Sequence, residues 1–356
     1  MRCDASMLIS HICQSRSPTG LLLVATLAAC GSAHGKSQST SRPSNPAPAR
    51  AAASTRAPSV AVTPCGPAAA EVLARTAGSV AQLIYAGETS GSETLSDKRQ
   101  VESYGPLLSA VEHGERAAVK AAVTTLVFSH THVVRLRVSR GSELLADVGG
   151  PYVLAPVGGT LRSHGRSIGH YSFSVQDDLG YVKLVTRFIG APLVLRTASG
   201  QVPIEGLLSP GPASIPNHGP VDYRHTTYEA FSFNASAYPS GRLRVSLLLP
   251  VLPLLSAKSC TAIKTAELGE VAQRISRRFT LSPTSFSPYI KLVRTLTNGL
   301  VYIRSGSRQL AGSTHPGPRR LPDRGTVSYR GSSYGVFSFT TGTAVGPVRI
   351  YQLVHP

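Results

Sequence analysis

Helix-period segments near the head of this chain, followed by a long series of period-two segments, predict an α+β fold with N-terminal helices ahead of an antiparallel sheet. A motif that recurs 106 residues later predicts that part of the arrangement occurs twice, the second time as a partial unit of helix plus β-hairpin. With 356 residues and 42% hydrophobic content, the chain is long enough for one large or two modest cores.

The first helix is expected over 67–85, where Leu73, Ala77, Val80, Ala81 and Ile84 recur at helical spacing. A second is expected over 115–128 with Val119, Ala122, Val123, Leu126 and Val127 in one stripe, and Glu115 places negative charge at its positive end. The period then becomes two. Over 132–138, Val134, Leu136 and Val138 alternate with Arg135 and Arg137, the pattern of a half-buried strand. A further strand is expected over 165–175. The clearest helix spans 177–190, with Asp177 as its cap, Tyr181, Leu184, Val185 and Phe188 on one face, and Gly190 at its end. Strands are then expected over 191–196, 219–223, 228–233 and 243–249. The apolar run 245–255 is broken by Pro250 and Pro253, so it reads as a strand entering a turn and not as a membrane span.

The repeat is carried by Pro216, Gly219, Tyr223, Tyr228 and Phe231-Ser232-Phe233, matched in register by Pro322, Gly325, Tyr329, Tyr334 and Phe337-Ser338-Phe339. Each copy reads as two strands joined by a tight turn, with the rings alternating across the pleat as core and cross-strand pairs. The helices echo one another as well: Val80-Ala81-Gln82-x-Ile84 follows Cys65, and Val271-Ala272-Gln273-x-Ile275 follows Cys260.

Ahead of these elements, the apolar run 21–29 ends in Leu27-Ala28-Ala29-Cys30, with Arg2 and Arg16 upstream. A short apolar core closed by small residues has the form of a secretory signal. Its terminal cysteine resembles the bacterial lipobox, which implies a signal peptide over 1–29, lipidation of Cys30 and attachment to the outer side of the cell membrane. Residues 30–64, rich in Ser, Ala, Pro and Thr, are expected to form a disordered tether. Two units follow, 65–257 and 258–356. Cys3 and Cys13 would leave with the signal, so Cys65 and Cys260 remain as an even pair in an oxidising compartment. Each precedes a helix. If those helices pack side by side, the two thiols can form a disulfide.

The string Gly169-His170-Tyr171-Ser172-Phe173-Ser174-Val175-Gln176-Asp177-Asp178-x-Gly180-Tyr181, followed by Gly190-x-Pro192-Leu193-Val194-Leu195, resembles the strand–short helix–strand passage of extracytoplasmic PAS-like sensor domains of the Cache kind. The resemblance covers roughly 65–250 and implies a PAS-like antiparallel sheet in a sensory protein. The amino-acid-binding pattern of that family uses a Trp, and this chain has none, so no ligand residue carries over.

The formal charge is +18, from 36 Lys and Arg against 18 Asp and Glu. The arginines are scattered along strands, which speaks against a nucleic-acid surface and for attraction to an anionic envelope. The chain has no Gly-x-Ser-x-Gly elbow, His-Glu-x-x-His pair or Walker loop. His130 and His132 alternate at the head of a strand, but without a neighbouring carboxylate or thiol in sequence they read as a surface pair. No catalysis, metal or cofactor is expected. The expected function is a lipid-anchored binding or sensory protein for a small anionic ligand or envelope component, signalling through a membrane-protein partner. The rival is a structural protein that docks on anionic polymer or a membrane partner through its hairpins. A ligand surface is expected at Arg135 and Arg137 on one strand face, bordered by Asp147 and Tyr152 and by Asp177 and Tyr181.

Overall fold

The stripe beginning near Leu73 forms helix α1 (Ala69–Ser90), which buries Ala74, Ala77, Val80, Ala81 and Ile84 and ends where Gly91 turns extended. The computed structural model describes residues 63–356 apart from 131, 199, 203–207, 209–210, 239–240 and 345. The signal segment 1–29, Cys30 and all but the end of the tether lie outside the described residues.

Three helices follow: α2 (Ser92–Ser103), α3 (Gly105–His113) and α4 (Arg116–Thr125). Only the last was read from the sequence. Strands β1 (Arg135–Arg140), β2 (Glu143–Gly149), β4 (Val157–Ser163) and β5 (Arg166–Ser174) build sheet I in the antiparallel order β2-β1-β5-β4. Its inner face is closed by α3 and α4. Leu107, Val111, Val119, Val123 and Leu126 pack with Leu136, Val138, Tyr171 and Phe173 in one core.

Short strands β3 (Val153–Leu154) and β6 (Gln176–Asp177) lead out of this module into α5 (Asp178–Ile189). The terminal signals act as the sequence predicts: the Asp177 carboxylate accepts a hydrogen bond from the Gly180 amide at 2.6 Å, and Gly190 stops the helix at φ 78°. Strands β7 (Leu193–Thr197), β8 (Gly200–Gln201), β9 (His218–Tyr223), β10 (Thr226–Tyr238) and β11 (Gly241–Pro250) complete sheet II. Its order is β6-β3-β10-β11-β7-β8, with β9 also paired to β10.

The second unit opens with α6 (Cys260–Ser276), capped by Ser259, whose hydroxyl accepts from the Ala262 amide at 3.1 Å. It continues with α7 (Phe286–Thr297) and strands β12 (Leu300–Ser305), β13 (Arg308–Gly312), β14 (Arg324–Tyr329), β15 (Ser332–Thr343) and β16 (Gly346–Val354). Sheet III runs β13-β12-β16-β15-β14, the same order that β8, β7, β11, β10 and β9 follow in sheet II. The second unit thus holds two helices and five strands, more than the helix and hairpin legible in the sequence.

The correspondence extends to single atoms. Tyr181 donates its hydroxyl to the Ala81 carbonyl and Tyr289 to the Ala272 carbonyl, each at 3.0 Å. The Gly211 amide donates to Gln201 Oε1 at 3.0 Å and the Gly317 amide to Gln309 Oε1 at 3.1 Å. Arg196 and Arg304 donate to the Pro212 and Pro318 carbonyls. Between α1 and α5 the first unit carries the sheet I module, whereas residues 277–285 join α6 to α7. Both units share one principal core, drawn from α1, α5, α6, α7 and sheets II and III. Helices α1 and α6 pack together, and Cys65 and Cys260 are joined in a disulfide with their Cα atoms 4.8 Å apart. The fold is α+β, with helices preceding antiparallel sheets. Among the described residues, no helix is long and apolar enough to cross a membrane.

Candidate functional site

Alternation along β1 turns Leu136 and Val138 inward and leaves Arg135 and Arg137 on the outer face of sheet I. Arg135 is held by protein acceptors. Its Nε and Nη2 donate to the two Asp147 carboxylate oxygens at 2.7 and 3.0 Å, and Nη1 donates to the carbonyls of Gly150 at 2.6 Å and Pro151 at 3.2 Å. Its guanidinium also lies 4.1 Å from the centroid of the Tyr238 ring, and the Tyr238 hydroxyl donates to Asp147 at 2.5 Å. Burial pushes the Asp147 carboxyl up, but the hydrogen bonds from Arg135 and Tyr238 and the guanidinium charges outweigh it and hold the group below the usual carboxylate range. Burial and the bond to Asp147 together raise the Tyr238 phenol.

Tyr238 belongs to β10, so this cluster fastens sheet I to sheet II. Arg135 and Asp147 therefore form a joint rather than an open anion site. Arg137 stands at the same ring, 5.4 Å from its centroid. Tyr152 is half-buried against the principal core. Asp177 caps α5 and pairs through β6 with Val153, which in turn pairs with Tyr238. Tyr181 is fully buried, meets Tyr85 edge to face at 6.0 Å, and has no exposed surface to offer a ligand. Asp177, Tyr152 and Tyr238 are thus brought close through neighbouring strands, while Tyr181 lies in the core.

The outer face of sheet I also carries His170. His170 pairs with Ser139, and Ser172 with Arg137, so His170 and Arg137 share this face. At the turn end of the sheet, between it and the end of α3, lies a cleft of about 360 Å³ lined by Arg140, Arg166, His170, Ser167 and Glu112, with Arg140 on the inward parity of Leu136 and Val138 and its guanidinium beside Gly114. Arg140, Arg166 and His170 are exposed. Glu112 accepts a hydrogen bond from the Ser163 hydroxyl at 2.8 Å. Sequence reading missed this cleft because the β1–β2 and β4–β5 turns that form it contain no unusual motif.

A different cluster sits where α1 meets α2. Glu88, Glu93 and Asp97 are all buried, and His132 Nδ1 lies 2.5 Å from Glu93 Oε1. Burial, reinforced by Glu93, pushes the Glu88 carboxyl up to about 8. Burial raises Asp97 to about 6, with His132 pulling down and Glu93 pushing up. The carboxylate neighbour that the sequence lacks beside His132 is thus supplied from α2, across the fold. Among the described residues, no group of three His, Cys, Asp or Glu is placed to hold a metal ion.

No family model matches the chain, and no curated protein matches it. Among solved structures, the chain is similar to the ligand-binding domain of the Pseudomonas fluorescens chemoreceptor CtaA in complex with L-alanine. The TM-score is 0.30 at 10% identity, over 51% of this chain and 96% of that one. The same domain in complex with L-isoleucine gives a TM-score of 0.31 at 12% identity, over 51% of this chain and 92% of that one. An extracellular ligand binding receptor from Desulfohalobium retbaense gives 0.29 at 11% identity, over 50% of this chain and 39% of that one.

Proposed function

We propose that this chain is an extracytoplasmic binding or sensory protein of the PAS-like kind that recognises a small anionic ligand or envelope component and performs no chemistry of its own. The observation that carries this reading is the cleft at the turn end of sheet I, flanked by the guanidinium side chains of Arg140 and Arg166. Guanidinium groups pair carboxylates and phosphates bidentately, and a concave surface concentrates that attraction. The Cys65–Cys260 disulfide supports an oxidising compartment. Lipidation of Cys30, with 30–64 as tether and 65–257 and 258–356 as the folded units, would hold the protein at the membrane beside a signalling partner.

The test is a thermal-shift series on the purified full chain with inorganic phosphate, succinate, L-glutamate, L-alanine and L-isoleucine. An anionic compound should raise the melting temperature, and Arg140→Ala combined with Arg166→Ala should abolish the rise. A rise that survives the double substitution would remove the cleft from the proposal.

A second reading is favoured by the hairpin tips. Arg224 stacks over Tyr223 at 5.1 Å and Arg330 over Tyr329 at 5.3 Å, the same device in each unit. With the inner face of sheet I filled by its own side chains, such tips suit docking on an anionic envelope polymer. Salt-sensitive retention on polymer, with no response to small anions, would favour this reading.

A further inference from the structure

The run after β11 leaves the sheet as Val251-Leu252-Pro253-Leu254-Leu255. Pro253 keeps it from extending the strand, and only a single 3₁₀ turn (Pro253–Leu255) forms. Its large side chains do not fold back on the core. Val251 is 39% exposed, Leu252 55% and Leu254 79%. Scattered surface leucines are ordinary, but three large apolar residues within four positions form a contiguous patch that marks an interaction surface.

The position of this loop says what it meets. The Cys65 amide donates to the Lys258 carbonyl at 2.7 Å and the Gly66 amide to the Ser256 carbonyl at 3.1 Å, with the disulfide alongside. The loop therefore lies where the chain from residues 1–62 joins the folded body. The Val251 amide donates to the Thr227 carbonyl at 3.0 Å, which brings the β9–β10 tip, Arg224 and His225, beside it. Arg224, His225 and Lys258 are exposed. An apolar tip flanked by Arg224 and Lys258, with Asp222 engaged by the Thr227 hydroxyl at 2.6 Å, matches the boundary of an anionic bilayer, where leucines enter the acyl region and basic side chains stay among the head groups.

We propose that the 251–255 loop is a bilayer contact: it inserts its leucines into an anionic phospholipid surface and sets the folded body on the membrane by the pole at which the N-terminal segment arrives. The proposal rests on the extracytoplasmic, membrane-anchored reading and adds an orientation to it. Sheet I and its cleft play no part in the contact.

The chain contains no Trp, so one introduced at the loop reports alone. The full chain carrying Leu254→Trp is mixed with vesicles of phosphatidylcholine and phosphatidylglycerol at 7:3, with and without bromine on the acyl chains, at a few-fold molar excess of lipid. Emission should move to shorter wavelength and be quenched by the brominated lipid. The same chain with Phe128→Trp, on a residue 72% exposed in the sheet I module, should show neither change. Two tryptophans that respond alike, or a silent Leu254→Trp, would overturn the proposal. Leu252→Ser with Leu254→Ser should lower vesicle partition by about tenfold per leucine, from the free energy of burying each side chain. Unchanged partition would likewise overturn it. Mass spectrometry of the N-terminus reports lipidation of Cys30 separately, so failure of the anchor and failure of the loop are distinguishable.

Discussion

Gly78 lies on the buried side of α1, directly against the ring of Phe231. A Cβ there would stand 2.5 Å from Phe231 Cε1 and closer still to Cγ and Cδ1, against an ordinary carbon–carbon contact of about 3.5–4.0 Å. The ring cannot easily yield. Phe231 is 8% exposed and packs beside His218, at a centroid distance of 5.1 Å, and Phe233, at 6.5 Å. Helix propensity alone predicts that Gly78→Ala stabilises by about 1 kcal/mol. Overpacking costs about 1–3 kcal/mol or more, and the ring obstructs at its centre. The net expectation is destabilisation of roughly 2 kcal/mol or more, or a fall in Tm of several degrees. Gly269→Ala should behave alike, because its Cβ would stand 2.6 Å from the Phe337 Cβ in the second unit. Gly87 is the control in the same helix, with nothing within 4 Å of its added Cβ, so Gly87→Ala should stabilise by up to about 1 kcal/mol. Urea unfolding of the full chain, followed by circular dichroism, reads all three signs. If Gly78→Ala stabilises as Gly87→Ala does, the close seating of each helix on its aromatic ring is wrong.

Removing the Cys65–Cys260 bridge by Cys65→Ser with Cys260→Ser opens a loop with a sequence separation of 195, and chain entropy sets the loss at up to about 5 kcal/mol. Urea midpoints should fall accordingly, and thiol titration of the unreduced wild type should find neither cysteine; two reactive thiols would refute the bond. Glu88 ionises in the unfolded chain near 4.5 but in the folded chain only at about 8, so the folded state holds its proton across that window. Its contribution is therefore complete below 4.5 and is lost as pH rises through 8, at about 1.4 kcal/mol per pH unit in between. Stability measured from pH 5 to 8 should decline more steeply in the wild type than in Glu88→Gln, and equal slopes would count against a buried, protonated Glu88. Asp97 adds the same sign between 3.8 and about 6; Glu93 faces both groups and His132 faces Asp97.

What can be read along one element was legible in the sequence. The helix over 177–190 came with its own cap and stop, because Asp177 and Gly190 act on backbone groups within a turn of themselves. The hairpins of both units were readable from the repeat, since a pleat alternates whatever it packs against. The disulfide followed from parity and from two matched helix starts. Helices α2 and α3 were missed: α2 is mostly polar, and α3 is only nine residues long with Pro106 in its first turn.

Facing was the information that local pattern lacked. Alternation on β1 determines that Arg135 and Arg137 share a side, but not what that side meets. The tertiary fold brought Tyr238 and Asp147 to Arg135, from β10 and β2, and so turned an expected ligand residue into a joint between sheets. Tyr181 went the other way. Its stripe with Leu184, Val185 and Phe188 already marked a buried face, and packing against α1 placed the ring in the core. The buried acids beside His132 depend on the turn from α1 into α2, and the exposed loop at 251–255 gained its meaning only from the backbone bonds that set it beside Cys65. The sequence determined the elements and their periods, because these are set by neighbours along the chain. The structure alone decided which charges are paired and which surfaces are open, because burial and ion pairing depend on groups far apart in sequence.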